Sequence, residues 1–482
     1  MFFILLIGIV LLGIATYNVL KKDLFAPACI VSIVFFISAI CALINYNTWN
    51  LQNYHAQTVG IILLCLSIFS LTSYIVYRIF YSEKFQNKIN KTKEKKQYSN
   101  KYIIKAKEII FENKNEEKII HINRIIQIII ILIFIAVIAY NFYEIYRISH
   151  LNNNPGSFSE MMEVYRKTVS YSVMDISVKS PVLFNQATKV ITVISYIYIY
   201  IIIRNLFNKD KIKNNLLYIA TIVLFFVYSF GTGGRMPLLK LLAFSALICF
   251  VFANRKYNWK KDLNMKIIST GAICLVVMLV GFYATKNIVG RRKSFDPLYY
   301  VTMYSGGSIK LFDSYLQSPT KKSNIIGKET FYGINTFLGR FGLSDQNYIK
   351  HLEFRYAKNG LSLGNVYTPF RRYYADFGLI GSIILTCLFA IIINFIYLYI
   401  KEKVAKREDY NKDLFLVLYG FIIYCLFLYS IDDQFYGVIL SVNYFSILLI
   451  TAIMYFLLVY LDLGNLIKKG LKKPQKNEKM GE

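Results

Sequence analysis

Charge is scarce in this 482-residue chain: Asp, Glu, Lys and Arg together make up 17%, too little to coat a soluble surface, where about a quarter is usual. Acidic residues are scarcer still, 28 against 56 Lys and Arg, which leaves a net charge of +28. No H-E-x-x-H, G-x-S-x-G or P-loop pattern occurs, so zinc hydrolysis, serine hydrolysis and nucleotide hydrolysis lack their usual signals. The seven cysteines (Cys29, Cys41, Cys65, Cys249, Cys274, Cys387 and Cys425) all fall inside apolar runs. None is placed to staple a loop or bind zinc, which argues against a disulfide framework and a metal site.

What is abundant is apolar: 56% of residues are hydrophobic. They gather in runs of roughly 20, each long enough to span a hydrocarbon core of about 30 Å. The expected fold class is an all-α polytopic membrane protein of about eleven transmembrane helices. The spans fall at 2–20, 25–46, 57–80, 123–146, 186–206, 215–231, 236–253, 266–285, 377–400, 413–431 and 438–461. The first run lacks a positive n-region and an A-x-A site, and Lys21 and Lys22 follow it, so it reads as a retained helix with its N-terminus outside.

Loop charge tests that count. Lys21–Lys22, the segment 81–121 with eleven Lys, 204–215, 254–266, 401–413 and the tail from Lys468 are strongly positive, whereas 47–56 and 432–437 contain no Lys or Arg. Alternation holds if the positive loops are cytoplasmic, giving an N-out, C-in topology. The net charge therefore reflects topology and not nucleic acid, and the polar segment 81–121 reads as a solvated cytoplasmic stretch touching anionic lipid. The organisation that follows is helices 1–3 in 1–80, a basic cytoplasmic loop at 81–121, and helices 4–8 in 122–286 with an outer loop at 149–185. A large outer loop at 287–376, helices 9–11 in 377–464 and a basic tail at 465–482 complete it.

Chemistry concentrates on the outer side. In the loop at 149–185, Ser157-Phe-Ser-Glu160 has the spacing of a capping box and starts a short helix. Gly231-Thr-Gly-Gly-Arg235-Met-Pro237 joins two spans; free N–H groups and Arg235 at a helix start make an anion site, or simply a tight hairpin with an interfacial arginine. The large loop carries Arg291, Arg292, Arg340, Arg355, Arg371 and Arg372 and seven Lys against six acidic residues. Arginine forks grip phosphate bidentately. The loop's aromatics (Tyr299, Tyr300, Phe331, Tyr332, Tyr348, Tyr373, Tyr374) either stack on sugar rings or form a core of their own. Asp376 either caps the ninth span, pairing with Arg372 at i, i+4, or holds an arginine in a site. Asp432 and Asp433, on another outer connection, either face it or are solvated helix-end carboxylates. His351, with Asp345 and Glu353 nearby, is a candidate general base, and spacing does not choose among them.

Three stretches taken together resemble the Wzy-type polysaccharide polymerases, the oligosaccharide repeat-unit polymerases. They are the Gly-Gly-Arg hairpin at 233–235, Tyr304-Ser-Gly-Gly-Ser-Ile-Lys-Leu-Phe-Asp-Ser-Tyr-Leu316, and Asn365-Val-Tyr-Thr through Tyr-Ala-Asp376-Phe-Gly-Leu-Ile-Gly381. The likeness covers residues 150–400 and extends to the rest by topology. It implies a GT-C-like fold in the bacterial inner (plasma) membrane and a glycosyltransferase working at its outer face. Such an enzyme moves a growing glycan from undecaprenyl pyrophosphate onto a new lipid-linked repeat unit, with no nucleotide sugar and no metal or other cofactor. Its partners would be membrane lipids, a chain-length regulator and a flippase. Arg235 and Arg371 match the family's motif arginines, Arg166 is a third, and Arg340 follows by charge. Arg372 stands where the family carries proline, so the resemblance leaves the choice within the pair open. Asp376 and His351 are the catalytic candidates. An O-antigen ligase shares fold type and donor; a lipid-linked oligosaccharide flippase would instead show 12 or 14 spans in two related halves.

Overall fold

The computed structural model describes residues 1–82, 119–151, 156–171, 181–256, 296–320, 325, 327–339, 341–343, 350–357, 360–405 and 413–460. The long helices are α1 (Phe2–Val19), α2 (Pro27–Ile44), α3 (Ala56–Phe80), α4 (Arg124–Leu151), α6 (Val182–Phe207), α7 (Leu216–Gly231), α8 (Met236–Lys256), α9 (Pro297–Gln317), α11 (Pro369–Ile400) and α14 (Val442–Tyr455). Shorter ones are α5 (Phe158–Tyr171), α10 (Tyr332–Gly339), α12 (Asp413–Ile422) and α13 (Tyr424–Phe427). Among the described residues, the only sheet is the antiparallel pair β1 (Arg355–Tyr356) and β2 (Ser362–Gly364).

Nine helices among the described residues are long and apolar enough to cross a membrane. Apolar side chains such as Ile7, Leu11 and Ile14 on α1 and Ile125, Ile128 and Leu132 on α4 point outward, as lipid-facing surfaces require. The chain is an all-α, multi-pass membrane protein. The expected span at 266–285 and residues 83–118 of the loop expected at 81–121 lie outside the described residues. The expected span 413–431 is divided into α12 and α13 around Ile423, although Ile423 N still donates to Tyr419 O at 2.9 Å.

Local signals explain several boundaries. Pro27 opens α2 and Pro297 opens α9, where the missing N–H is not needed. Asp296 accepts from Tyr299 N at the start of α9, and Ser441 accepts from Tyr444 N at the start of α14. Ser157 N donates to the Glu160 carboxylate at 2.7 Å, so the capping-box spacing marks the start of α5.

Most of the helices share one continuous apolar core, and α5 packs on α4 in a separate small cluster. Helix α3 runs along α11, α2 along α9, α4 along α7, and α6 against both α8 and α14. Helix α9 is the departure from a purely solvated outer loop, because it lies directly on α2. A Cβ added to Gly306 would stand 2.5 Å from Ala42 N, so glycine is what lets the two backbones touch. Polar pairs lock the register: Asn45 Nδ2 donates to Thr302 Oγ1 at 2.8 Å, and the Ser38 and Ser308 hydroxyls are 3.4 Å apart. Away from this contact, Arg255 of α8 grips Asp413 of α12 through two bonds of 2.6 and 3.0 Å, with both side chains buried.

Gly306→Ala should lower the thermal midpoint of the purified protein by the equivalent of about 1–3 kcal/mol, the usual cost of overpacking. Gly307→Ala, whose Cβ would meet only Leu363 O at 3.2 Å, should cost less. Equal midpoints for Gly306→Ala and the parent would show that the helices do not approach this closely.

Candidate functional site

The hairpin between α7 and α8 is built from glycine for two separate reasons. A Cβ on Gly231 would stand 2.2 Å from Asn141 Nδ2 of α4, and Gly233 has φ +66°, which other residues rarely adopt. A Cβ on Gly233 would also meet Arg166 Cβ at 3.2 Å. Helix α5 is held in that place by Met162 and Tyr165, which pack on Ile145 and Ile148 of α4. Arg166 and Arg235, 69 positions apart in the sequence (235 − 166), thus flank the same glycine turn. The Arg235 guanidinium bonds the Tyr300 hydroxyl and lies 4.9 Å from the Tyr300 ring centre and 5.5 Å from that of Tyr304, both on α9.

The second arginine cluster sits on the first turn of α11. Arg371 is fully buried and reaches two carboxylates, Glu329 at 2.5 Å and Glu353 at 3.0 Å, with its guanidinium 3.7 Å from the Tyr315 ring centre. Burial raises the Glu329 carboxyl and Arg371 partly offsets that. Arg372, also buried, bonds Asp432 at 3.0 Å and the carbonyls of Glu329 and Lys350 at 3.1 and 2.9 Å. Arg355 closes the end of α9 by donating to Ser314 O at 2.7 Å and Ser318 O at 2.6 Å. Arginine forks here organise protein; any anion at Arg371 would displace Glu353, the more exposed of its two carboxylates.

Asp376 does not pair with Arg372. It accepts from Glu329 N at 3.1 Å and Thr330 N at 2.7 Å, tying α11 to the turn before α10. His351 is exposed, and the Glu353 beside it is engaged by Arg371 and Arg355. Asp345, Tyr348, Arg291, Arg292 and Arg340 lie outside the described residues. Most of the loop aromatics form core: Tyr300, Tyr332 and Tyr373 are buried, and Phe331 packs edge-on against Phe377 and Tyr436.

Two features have no signal in local spacing. Asp313 of α9 is buried and gathers His55 N and Nδ1 at 3.1 and 3.0 Å, Thr58 Oγ1 at 2.8 Å and Lys310 Nζ at 2.9 Å. His55 remains 46% exposed, an imidazole oriented by a buried carboxylate at the start of α3. Asp433 is not a solvated helix-end carboxylate but fully buried. One oxygen accepts from Phe435 N and Tyr436 N at 3.0 and 3.1 Å, and the other has no partner among the described residues. Desolvation, reinforced by Asp432, pushes its pKa from the ordinary 3.8 up to about 7.

That shift fixes a pH dependence. The folded state keeps the Asp433 proton up to about 7 while the unfolded chain releases it near 3.8, so stability falls as pH rises through that window. Asp433→Asn removes the ionisation, and its thermal midpoint should exceed the parent's by more at pH 8 than at pH 5. A difference independent of pH would mean that Asp433 titrates as an ordinary solvated carboxylate.

Compared with known proteins, the chain matches no family model, no curated protein and no solved structure.

Proposed function

We propose that this protein is a polysaccharide polymerase that transfers an undecaprenyl-pyrophosphate-linked glycan chain onto a lipid-linked repeat unit at the outer face of a bacterial plasma membrane. The observation that carries the reading is the packing of the Arg166 stem against Gly233, two residues before Arg235, in the turn that joins two membrane helices. A polyprenyl pyrophosphate needs an apolar surface for its tail and cations at the lipid–water boundary for its head. The reading takes eleven spans, N-out and C-in, which puts that hairpin and both arginine clusters on the same outer side.

In the reaction, an acceptor sugar hydroxyl attacks the anomeric carbon of the donor. The carbon–oxygen bond to pyrophosphate breaks, and the hydroxyl proton passes to a base. Negative charge grows on the leaving pyrophosphate, so guanidinium groups beside it stabilise the transition state more than the ground state. Arg166 and Arg235 take that role. Arg371 and Arg372 hold the outer segments that frame the acceptor, with Glu353 the more exposed of the two carboxylates on Arg371. Of the two proton acceptors, His351 is the exposed one and Asp376 is engaged by two backbone N–H groups, which favours His351.

Deletion should leave cells with single repeat units and no long chains. Arg166→Ala and Arg235→Ala should each cut long-chain product about a hundredfold, the scale for losing one transition-state donor, with protein abundance in the membrane unchanged. Normal polymer from both variants would overturn the assignment. Unflipped cytoplasmic intermediates would point to a flippase, and complete lipid-linked polymer with no transfer to a final acceptor to a ligase. Arg371→Ala should behave differently: it strands Glu329 in a buried site, so abundance and thermal midpoint should fall together.

A further inference from the structure

Asp433 is not alone in having a buried polar atom without a partner. The hydroxyls of Tyr373, Tyr429 and Thr386 also have no hydrogen-bond partner among the described residues. All four residues are buried, Asp433, Tyr373 and Thr386 at 0% exposure and Tyr429 at 1%. The great majority of buried polar groups are hydrogen-bonded, so several orphans in one place call for a water or an ion between them.

Packing brings these groups together. Asp433 accepts from Tyr436 N at 3.1 Å, and the Tyr436 ring centre lies 5.6 Å from that of Tyr373 on α11. Tyr429, four residues before Asp433 in the chain (433 − 429), meets the same first turns of α11 through Phe370, at 5.9 Å between ring centres. The Tyr429 hydroxyl has those of Tyr373 and Thr386 as neighbours. Asp433 is the charged group that acts most strongly on both tyrosine hydroxyls. Its Oδ1 is occupied by Phe435 N and Tyr436 N, so Oδ2 is the atom left to face them.

Charge decides what belongs there. The charged groups beside Asp433 are Asp432 and Arg372, and Arg372 is bonded to Asp432 at 3.0 Å. One positive against two negative charges leaves this group one positive charge short. Water would satisfy the hydroxyls and leave the buried charge uncompensated. A single alkali-metal ion supplies the missing charge, and hard cations of this kind take oxygen ligands, the donors present here. Hydroxyl oxygens can turn their lone pairs to such an ion. A divalent ion would leave an excess of the opposite sign.

We propose that Asp433 Oδ2 and the hydroxyls of Tyr373, Tyr429 and Thr386 form a binding site for one sodium or potassium ion. The site does not depend on the proposed transfer. Asp432, next in the chain and 29% exposed, links it to solvent. The ion ties the segment 429–436 to the first turns of α11, so its binding is read as stability of the folded chain.

The test is the thermal midpoint of the full chain in detergent at pH 8 and constant ionic strength, in chloride salts of sodium, potassium or N-methylglucamine. Sodium, potassium or both should raise the midpoint saturably over the organic cation, by about 2 °C at ten times the dissociation constant. The lower half-saturating concentration identifies the ion. Asp433→Asn should abolish the difference between salts. Tyr373→Phe and Tyr429→Phe should each raise the half-saturating concentration about fivefold, the scale for losing one polar contact. Binding of the radiolabelled ion should saturate at one per chain in the parent. Equal midpoints in the three salts would leave the hydroxyls to water and overturn the inference, as would an ion effect that persists in Asp433→Asn. A larger rise with calcium than with either alkali ion would overturn the assignment to a single charge.

Discussion

A guanidinium buried away from water must meet negative charge and acceptor oxygens, and Arg371 imposes that condition on the whole outer end of α11. It draws Glu329 from the turn before α10, Glu353 from the strand region and the Tyr315 ring of α9 onto one point. Arg372 extends the same condition to Asp432 and to the carbonyls of Glu329 and Lys350. Asp376, one turn on, takes the N–H groups of Glu329 and Thr330. Segments with almost no regular secondary structure thereby acquire a fixed path over the membrane helices.

Burial sorts the cationic residues by what they can do. Arg255, Arg355, Arg371 and Arg372 are matched by carboxylates or carbonyls, and their charge holds helices and loops together. Arg235 and Lys240 lie instead against tyrosine rings. A ring face attracts a cation without neutralising it. Net charge alone would have ranked Arg371 and Arg372 first.

The membrane helices were legible because bilayer thickness dictates their length, and the nine among the described residues overlap the apolar runs. The starts of α5 and α8 were legible from Ser157–Glu160 and Pro237, where capping chemistry is local. Helix α9 was not, since it lacks a long apolar run and is bound to α2 through Gly306 and the Ser38–Ser308 and Asn45–Thr302 pairs. The arginine cluster could be seen but its partners could not: Glu329 and Glu353 lie 42 and 18 residues from Arg371, along irregular chain with no period to follow. Asp432 and Asp433 show the limit most sharply. One meets Arg372 and the other is buried with an oxygen that has no partner among the described residues. The His55–Asp313 pair spans 258 residues and carries no local mark.

The arginine platform finally depends on one torsion. Helix α11 breaks at Gly378, where φ is 68° and ψ is −162°, so residues 369–377 are not collinear with the membrane-spanning part. That combination is accessible essentially to glycine alone. A Cβ there would meet nothing within 4 Å, so the constraint is conformational and not steric. The Ser382 hydroxyl donates to Gly378 O at 2.9 Å, the usual i−4 pattern of a helical serine. A straight helix would carry Arg371 and Arg372 along the axis of the span; the break redirects them to where Glu329, Glu353 and Asp432 can reach them. Glycine is needed at 378 for its backbone angle, and the ion pairs that organise the outer face follow from it.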